Sequence, residues 1–418
     1  MRLFYTLGIY VYMLLVMLAA IFNRKARLLV RGHLDTFRLL RSKVQPGVRY
    51  VWFHASSLGE FEQGRPLMER LRREQPDKRI LLTFFSPSGY EVRKDYAGAD
   101  IVCYLPFDTP GNVHSFLRLV QPEALYLIKY EFWCNFMLAC RKRQIPIYSV
   151  SSIFRPEKAF FHWYGHAYAS VLRRCVTRFF VQDQQSADLL ATIGITDKVT
   201  VTGDTRFDRV IDIRDAAREL PLVARFVAAA QTDGGARPFV IVAGSSWPVD
   251  EDFIIPYFNT HPDMRLILAP HVVSEAHLQQ IEQRLQRPAQ RYTKATDDSV
   301  VQADCLIIDC YGLLSSIYRY AEVAYVGGGF GVGIHNVPEA AVYGVPVIIG
   351  PNNRGFREAQ ALLQLGGCCQ IDCGDDFAAS VDAMRGDEAL RQKRGTAARD
   401  YIVSNAGATG LIYAATQQ

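Results

Sequence analysis

The 418-residue chain has nine cysteines and no pair at CxxC spacing, which excludes zinc-knuckle and thioredoxin-type sites. Their number is odd and they are scattered over Cys103, Cys134, Cys140, Cys175, Cys305, Cys310, Cys368, Cys369 and Cys373, so a disulfide framework is not expected and a reducing compartment is. Charge is sparse, at 21% against 49% apolar residues, which excludes wholesale disorder and permits large cores. Repeats, low-complexity tracts and a strict GxGxxG fingerprint are all missing. A basic body is missing too. Residues 1–43 hold eight Lys/Arg against Asp35 alone, so the overall charge of +5 leaves the remaining chain at −2 and argues against nucleic acid as a partner. The length suits two domains, with room for a third.

Leu3 to Phe22 is an apolar run broken only by Thr6 and Gly8, long enough for a membrane span of about 20 residues. Arg24, Lys25, Arg27 and Arg31 follow, and such cations mark the cytoplasmic side. A cleaved signal peptide would need a shorter apolar core and a small-x-small cleavage site. Residues 24–43 mix Leu28, Leu29, Leu34, Phe37, Leu39 and Leu40 with cations, a pattern suited to an amphipathic helix on anionic lipid. A cytoplasmic body held at a membrane is the expectation.

From residue 48, short apolar runs alternate with helical stretches, as in parallel sheets buried on both faces. The first series is Arg49–Phe53, Ile80–Phe84, Ile101–Tyr104, Ala124–Ile128, Ile145–Val150, Arg178–Val181 and Val199–Val201. The second is Phe239–Ala243, Arg265–Ala269, Cys305–Ile308, Val323–Val326, Val345–Ile349 and Cys369–Ile371. The pattern predicts an α/β chain of two Rossmann-like, doubly wound domains facing each other across a cleft, preceded by a membrane-anchor helix. Expected boundaries are 1–43 for the anchor, 44–205 and 239–418 for the domains, and 206–238 for a connection holding Asp233-Gly234-Gly235; the last helix is expected to return to the first domain.

Ligands of such folds collect at the carboxyl ends of strands, and several short motifs fall there. Ser57 and Glu60 follow the first strand at capping-box spacing, so Glu60 reads equally as a helix cap or as a general base. Glu131 follows the fourth strand, either as a second acid in the same crevice or as a dipole-favoured acid opening a helix. In the second half, Gly327-Gly328-Gly329-Phe330-Gly331-Val332-Gly333 leads into His335-Asn336-Val337-Pro338-Glu339. Asn336 is expected to cap a helix whose free N–H groups could hold a phosphate, with Glu339 accepting ribose hydroxyls. Gly244-Ser245-Ser246 and Asp309-Cys310-Tyr311-Gly312 supply further turns after strands, and Arg206 and His271 are cations in similar positions. Asp250-Glu251-Asp252 formally makes a DxD but sits where helix-opening acids belong.

In order, these blocks resemble a known family, the 3-deoxy-D-manno-octulosonic acid (Kdo) transferases that decorate the lipid A precursor of Gram-negative bacteria. The resemblance runs through His54…Ser57-Leu58-Gly59-Glu60, Glu131-Phe132-Trp133-Cys134-Asn135, Thr202-Gly203-Asp204-Thr205-Arg206-Phe207-Asp208, Ala269-Pro270-His271 and Gly327-Gly328…His335-Asn336-Val337-Pro338-Glu339. It implies the GT-B fold, with an acceptor-binding first domain and a nucleotide-sugar-binding second domain. It also implies an inverting transfer of Kdo from CMP-Kdo to the lipid A precursor (lipid IVA), neither metal nor cofactor, and residence on the cytoplasmic face of the inner membrane. By resemblance Glu60 is the catalytic base, and Glu131 and Arg206 stabilise the transition state, Arg206 standing where lysine is usual. Ser245, Ser246, Pro270, His271, Tyr311, Gly312, Leu313, Asn336, Val337, Pro338 and Glu339 match the nucleotide-binding positions. Three departures fall in that half: His271 replaces an arginine, Leu313 a glutamate and Trp247 a histidine. The alternatives are a GT-B transferase using a UDP-sugar and a non-catalytic nucleotide-binding membrane scaffold.

Overall fold

Short apolar runs that are buried on both faces can satisfy their backbone only as parallel strands flanked by helices, and the chain builds two sheets in this way. In a computed structural model that describes residues 2–217, 219–228 and 238–417, the first sheet contains β1 (Tyr50–Ala55), β2 (Arg79–Phe84), β3 (Ile101–Tyr104), β4 (Pro122–Ile128), β5 (Ile147–Ser152), β6 (Arg178–Val181) and β7 (Val199–Val201). The second contains β8 (Phe239–Ser246), β9 (Met264–Pro270), β10 (Ala289–Arg291), β11 (Cys305–Ile307), β12 (Val323–Val326), β13 (Val347–Ile349) and β14 (Cys368–Gln370). All recorded pairings are parallel. The first sheet runs β3-β2-β1-β4-β5-β6-β7 and the second β10-β11-β9-β8-β12-β13-β14. Chain direction across the sheet therefore reverses between β1 and β4 in one, and between β8 and β12 in the other. These are the topological switch points at which open α/β sheets bind ligands.

All thirteen expected strands are present, β3, β6, β7 and β12 with the expected bounds and the others with shifted ends. β10 is the addition. It is a three-residue edge strand, Ala289-Gln290-Arg291, with no apolar run to announce it, and its Arg291 is clamped by Glu275 and Glu282 at 2.7 Å. β8 extends past Ala243 to Ser246, so Gly244-Ser245-Ser246 is the end of the strand rather than a loop after it. The physical cause is a bulge: Ser245 adopts φ 54°, the register shifts between Gly244 and Ser246, and Ser246 still pairs with Pro270.

The chain divides into two units, Met1–Arg209 with Ala406–Gln418, and Val210–Asn405. The boundary falls inside the helix Thr205–Asp215, and the next helix, Pro221–Ala228, buries Val223, Phe226 and Val227. The expected Asp233-Gly234-Gly235 turn lies outside the described residues. The last helix, Ala408–Thr416, packs Ile412 and Tyr413 into the first unit's core. Asp208 accepts the Gly407 and Thr409 N–H groups at 2.5 and 2.6 Å.

The N-terminal segment forms two helices, Arg2–Phe22 and Arg24–Lys43, separated by Asn23, whose side chain caps the second. The first is the one described helix long and apolar enough to cross a membrane. One stripe of it is fastened to the first unit. Arg2 Nε donates to Asn135 Oδ1 at 3.0 Å, Tyr5 OH donates to Asp108 at 2.8 Å, and Asn135 Nδ2 donates to Thr6 Oγ1 at 3.1 Å. Ile9 is buried, and the Tyr12 ring packs on Phe85 and Phe107. The opposite face, including Leu3, Phe4, Leu7, Leu14, Leu15 and Leu18, is exposed.

Candidate active site

At the first switch point, β1 delivers His54 to a buried network. Its Nδ1 lies 2.9 Å from Thr83 Oγ1 and 3.1 Å from Thr83 O, and its Nε2 accepts from Trp133 Nε1 at 3.1 Å. With Nε2 as acceptor, the ring proton sits on Nδ1. Glu131 Oε2 stands 3.6 Å from the same Nε2. The helix that follows Glu131, Cys134–Lys142, is capped at Trp133. Glu131 therefore lies outside that helix, and its carboxylate faces the His54 side instead of serving as a first-turn acid.

β1 continues through Ser56 into the helix Leu58–Glu74, which places Glu60 in its first turn. The Glu60 carboxylate reaches back to accept the Ser56 N–H at 2.5 Å, while the Ser57 hydroxyl makes no cap bond. Glu60 is thus a cap and a buried acid together. Burial, and then the charge of Glu131, push its carboxyl up to about 7; the Ser56 N–H, Lys129 and the Ser57 backbone pull the other way without prevailing. Burial of a carboxylate against a like charge is how enzymes tune a base toward neutrality.

Lys129, just after β4, is held at φ 58° by its own N–H to Val150 O and by Ser149 and Ser152 hydroxyls on its carbonyl. Sequence reading gave this cation no role, and a left-handed lysine leaves no trace in residue spacing. Lys158 covers the Tyr130 ring at 4.6 Å. Arg206 is held rather than loose: its backbone N–H and Nε both bind Asp204 at 2.9 Å, and Gln63 Nε2 donates to the same carboxylate at 3.1 and 3.2 Å. Gln63 lies one turn beyond Glu60, so Asp204 ties Arg206 to the helix that carries Glu60.

In the second unit, the expected nucleotide residues gather at the carboxyl ends of β8, β9, β11 and β12. Asp250 fixes the glycine loop by accepting from Gly328 N–H at 3.1 Å, Trp247 N–H at 2.9 Å and Tyr325 OH at 2.6 Å. Glu251 accepts from the Ser246 hydroxyl at 2.9 Å and lies 2.8 Å from His277 Nε2. Asp252 pairs with Arg284 at 2.8 Å, so both acids of the formal DxD are engaged within the fold, and the Ser246 hydroxyl is already spent. The backbone of Gly327 lies so close to Ser245 that a Cβ would collide with its carbonyl oxygen, and Gly328 has φ 92°. These glycines fit the loop against β8. Tyr311 is exposed and its hydroxyl accepts Val273 N–H at 3.2 Å; Gly312, at φ 93°, turns the chain and Leu313 precedes the helix Leu314–Ile317.

The helix Val337–Ala341 departs from expectation. The Asn336 side chain makes no cap bond but donates to Glu339 Oε1 at 2.6 Å, and Glu339 Oε2 accepts from Ser315 at 3.0 Å. The cause is Pro338, which occupies the position whose N–H a cap would normally take. The Val337 N–H goes to His335 O and the Glu339 N–H to Asn336 O. The first three residues therefore present no unpaired N–H to an anion.

The family model described as 3-deoxy-D-manno-octulosonic-acid transferase (kdotransferase) matches residues 31–209. Curated Kdo transferases align along most of the chain. That of Bordetella pertussis is 29% identical, covering 86% of this chain and 85% of its own. That of Aquifex aeolicus is 26% identical (75% and 79%), and that of Haemophilus influenzae 24% identical (87% and 85%). These matches, along most of the chain, support the Kdo transferase family for this protein. Kdo transferases are glycosyltransferases, and the protein is an enzyme of that class. Among solved structures, the UDP-GlcNAc 2-epimerase of Neisseria meningitidis has a TM-score of 0.59 at 14% identity, covering 87% of this chain and 98% of its own. A second UDP-N-acetylglucosamine 2-epimerase scores 0.54 at 12% identity, covering 84% and 91%. At that identity the likeness speaks for the two-domain α/β fold of GT-B proteins and not for activity.

Proposed function

We propose that this Kdo transferase moves Kdo from CMP-Kdo to the lipid A precursor, lipid IVA, with inversion, at the cytoplasmic face of the inner membrane. The observation that carries the mechanism is the buried Glu60 carboxyl at the β1–β4 switch point, hydrogen-bonded to Ser56 N–H and raised to about 7. The acceptor hydroxyl oxygen forms a bond to the donor's anomeric carbon as the bond from that carbon to the CMP phosphate oxygen breaks. CMP leaves with the electron pair, and the hydroxyl proton passes to Glu60. Glu131 and Lys129 set the field around that proton, and Arg206, held by Asp204, supplies positive charge toward the departing phosphate. The donor's cytidylate belongs to the second unit, at the ends of β8, β9, β11 and β12, where Ser245, Ser246, Pro270, His271, Tyr311–Leu313 and Asn336–Glu339 lie.

The membrane reading rests on the N-terminal helices. A spanning helix would carry Arg2 about 30 Å from Arg24, across the hydrocarbon. Arg2, Tyr5 and Thr6 are instead hydrogen-bonded to the same unit that packs the Arg24–Lys43 helix. That geometry supports a helix lying in one leaflet, its exposed leucines in lipid and its cations at the head groups.

The test is Glu60→Gln, assayed by mass spectrometry of lipid IVA after incubation with CMP-Kdo. Loss of the base should cost about 10²–10⁴-fold in rate while cytidine nucleotide binding persists. Near-normal transfer by the variant would reduce Glu60 to a cap. Thermal shifts with UMP in place of CMP would favour the UDP-sugar reading.

A further inference from the structure

The helix Cys134–Lys142 opens on three buried residues, Cys134, Asn135 and Phe136, whose backbone N–H groups have no acceptor within the helix. A Ser, Thr, Asp or Asn just before them would normally supply one. Trp133 stands there instead and makes no cap bond. The cap is built from two remote segments. Asp108, in the loop after β3, accepts the Asn135 N–H on one carboxylate oxygen and the Phe136 N–H on the other, both at 2.9 Å. Tyr5, on the N-terminal helix, accepts the Cys134 N–H at 3.3 Å and donates its own hydroxyl proton to Asp108 at 2.8 Å. The Asn135 side chain closes the brace: its amide donates to Thr6 Oγ1 at 3.1 Å and to Asp108 O at 2.7 Å. On the other side of Trp133, the Phe132 carbonyl accepts from Tyr168 OH, and the Tyr168 ring lies 6.4 Å from that of Tyr5. Trp133 itself donates to His54. Every residue from Phe132 to Phe136 is thereby held, and the next residue back is Glu131, 3.6 Å from His54.

We propose that Tyr5, Thr6 and Asp108 are positioning residues of the transfer reaction: the N-terminal helix braces the Phe132–Phe136 segment and through it holds the Glu131 carboxylate beside His54 and Glu60. The proposal rests on the reading of Glu60 and Glu131 given above and adds the part of the chain that keeps Glu131 in place. Tyr5 and Thr6 are half-buried on the docked stripe of the helix, while its leucines face outward. One helix therefore has two separable faces, an apolar one for lipid and a hydrogen-bonding one for the catalytic corner. Removing a hydroxyl from the second face leaves a buried N–H unpaired at the start of the Cys134–Lys142 helix. The segment between that helix and β4 then loses its fixed end, and a displacement of about 1 Å in a group that acts on the reacting centre costs up to about 10²-fold in rate. The effect needs no bilayer, because every bond of the brace lies within the protein.

The test is Tyr5→Phe with Thr6→Val, which removes both hydroxyls and keeps both shapes. The pair is made in the full-length protein and assayed in detergent with lipid IVA and CMP-Kdo, so that vesicle binding plays no part. The value of kcat should fall about tenfold with KM for CMP-Kdo unchanged. Amide hydrogen exchange at residues 134–136 should quicken about tenfold while the strands of the first sheet exchange as before. Glu131→Gln should also lower kcat, and the hydroxyl pair should cost nothing further in that background, as expected of residues that act through another. Asp108→Asn, which puts a donor where the helix needs an acceptor, should repeat both results; if it does not fold, the hydroxyl pair decides alone. Wild-type kcat in the hydroxyl pair, or an equal cost in both backgrounds, would overturn the brace and leave Glu60 and Glu131 in their roles. Wild-type kcat in Glu131→Gln would instead overturn the reading of Glu131, and the route proposed here with it.

Discussion

At Glu60 the helix cap and the proposed base do not compete for the residue. Its carboxylate closes the helix N-terminus through the Ser56 N–H, and the same burial that makes this bond possible raises its pKa toward neutrality. A raised carboxyl is protonated below its pKa, so base catalysis should switch on as pH rises through about 7. Glu131 is the second cause of that rise after burial, so Glu131→Gln should move the acid limb of the pH–rate profile to lower pH. A limb that stays in place or moves upward would detach Glu131 from the base. Thr83 supports the same corner: its hydroxyl accepts from Trp52 Nε1 at 2.8 Å and lies 2.9 Å from His54 Nδ1, all fully buried. Thr83→Val should leave the Trp52 N–H unpaired and cost about 1–3 kcal/mol, read by denaturant unfolding.

At the scale of elements, the glycine loop after β12 is shaped by its neighbours within the fold. Gly327 sits against Ser245 and the Asp250 carboxylate, whereas a Cβ at Gly331 would meet nothing within 4 Å. Gly327→Ala should therefore lower both the unfolding midpoint and nucleotide affinity, while Gly331→Ala should be close to neutral in both. Equal effects in calorimetry and thermal unfolding would mean that the loop does not depend on this close approach. Pro338 belongs to the same scale, because it turns an expected helix cap into an Asn336–Glu339–Ser315 chain of side-chain bonds.

For the whole molecule, the proposed membrane placement rests on the N-terminal helix. If its exposed face lies in lipid, Leu14→Asp with Leu18→Asp should remove at least tenfold of vesicle binding, since each leucine is worth about 1.5–3 kcal/mol when buried. Transfer to a detergent-solubilised acceptor should change much less, because both side chains are exposed. Unchanged co-sedimentation with anionic vesicles would contradict the one-leaflet placement.

The sequence by itself determined the α/β class, thirteen of the fourteen strands, the basic N-terminus and the motifs that mark the family. Each of these is written in local pattern: apolar runs, charge placement, and glycines at strand ends. β10 was not legible because an edge strand of Ala289-Gln290-Arg291 is stabilised by salt links to Glu275 and Glu282 that are remote in sequence. Only the tertiary structure decided that Glu131 faces His54, that Lys129 acts on Glu60, and that the Ser246 hydroxyl is spent on Glu251. Those relations depend on which strand ends meet at a reversal of sheet order, and no spacing along a chain encodes that meeting.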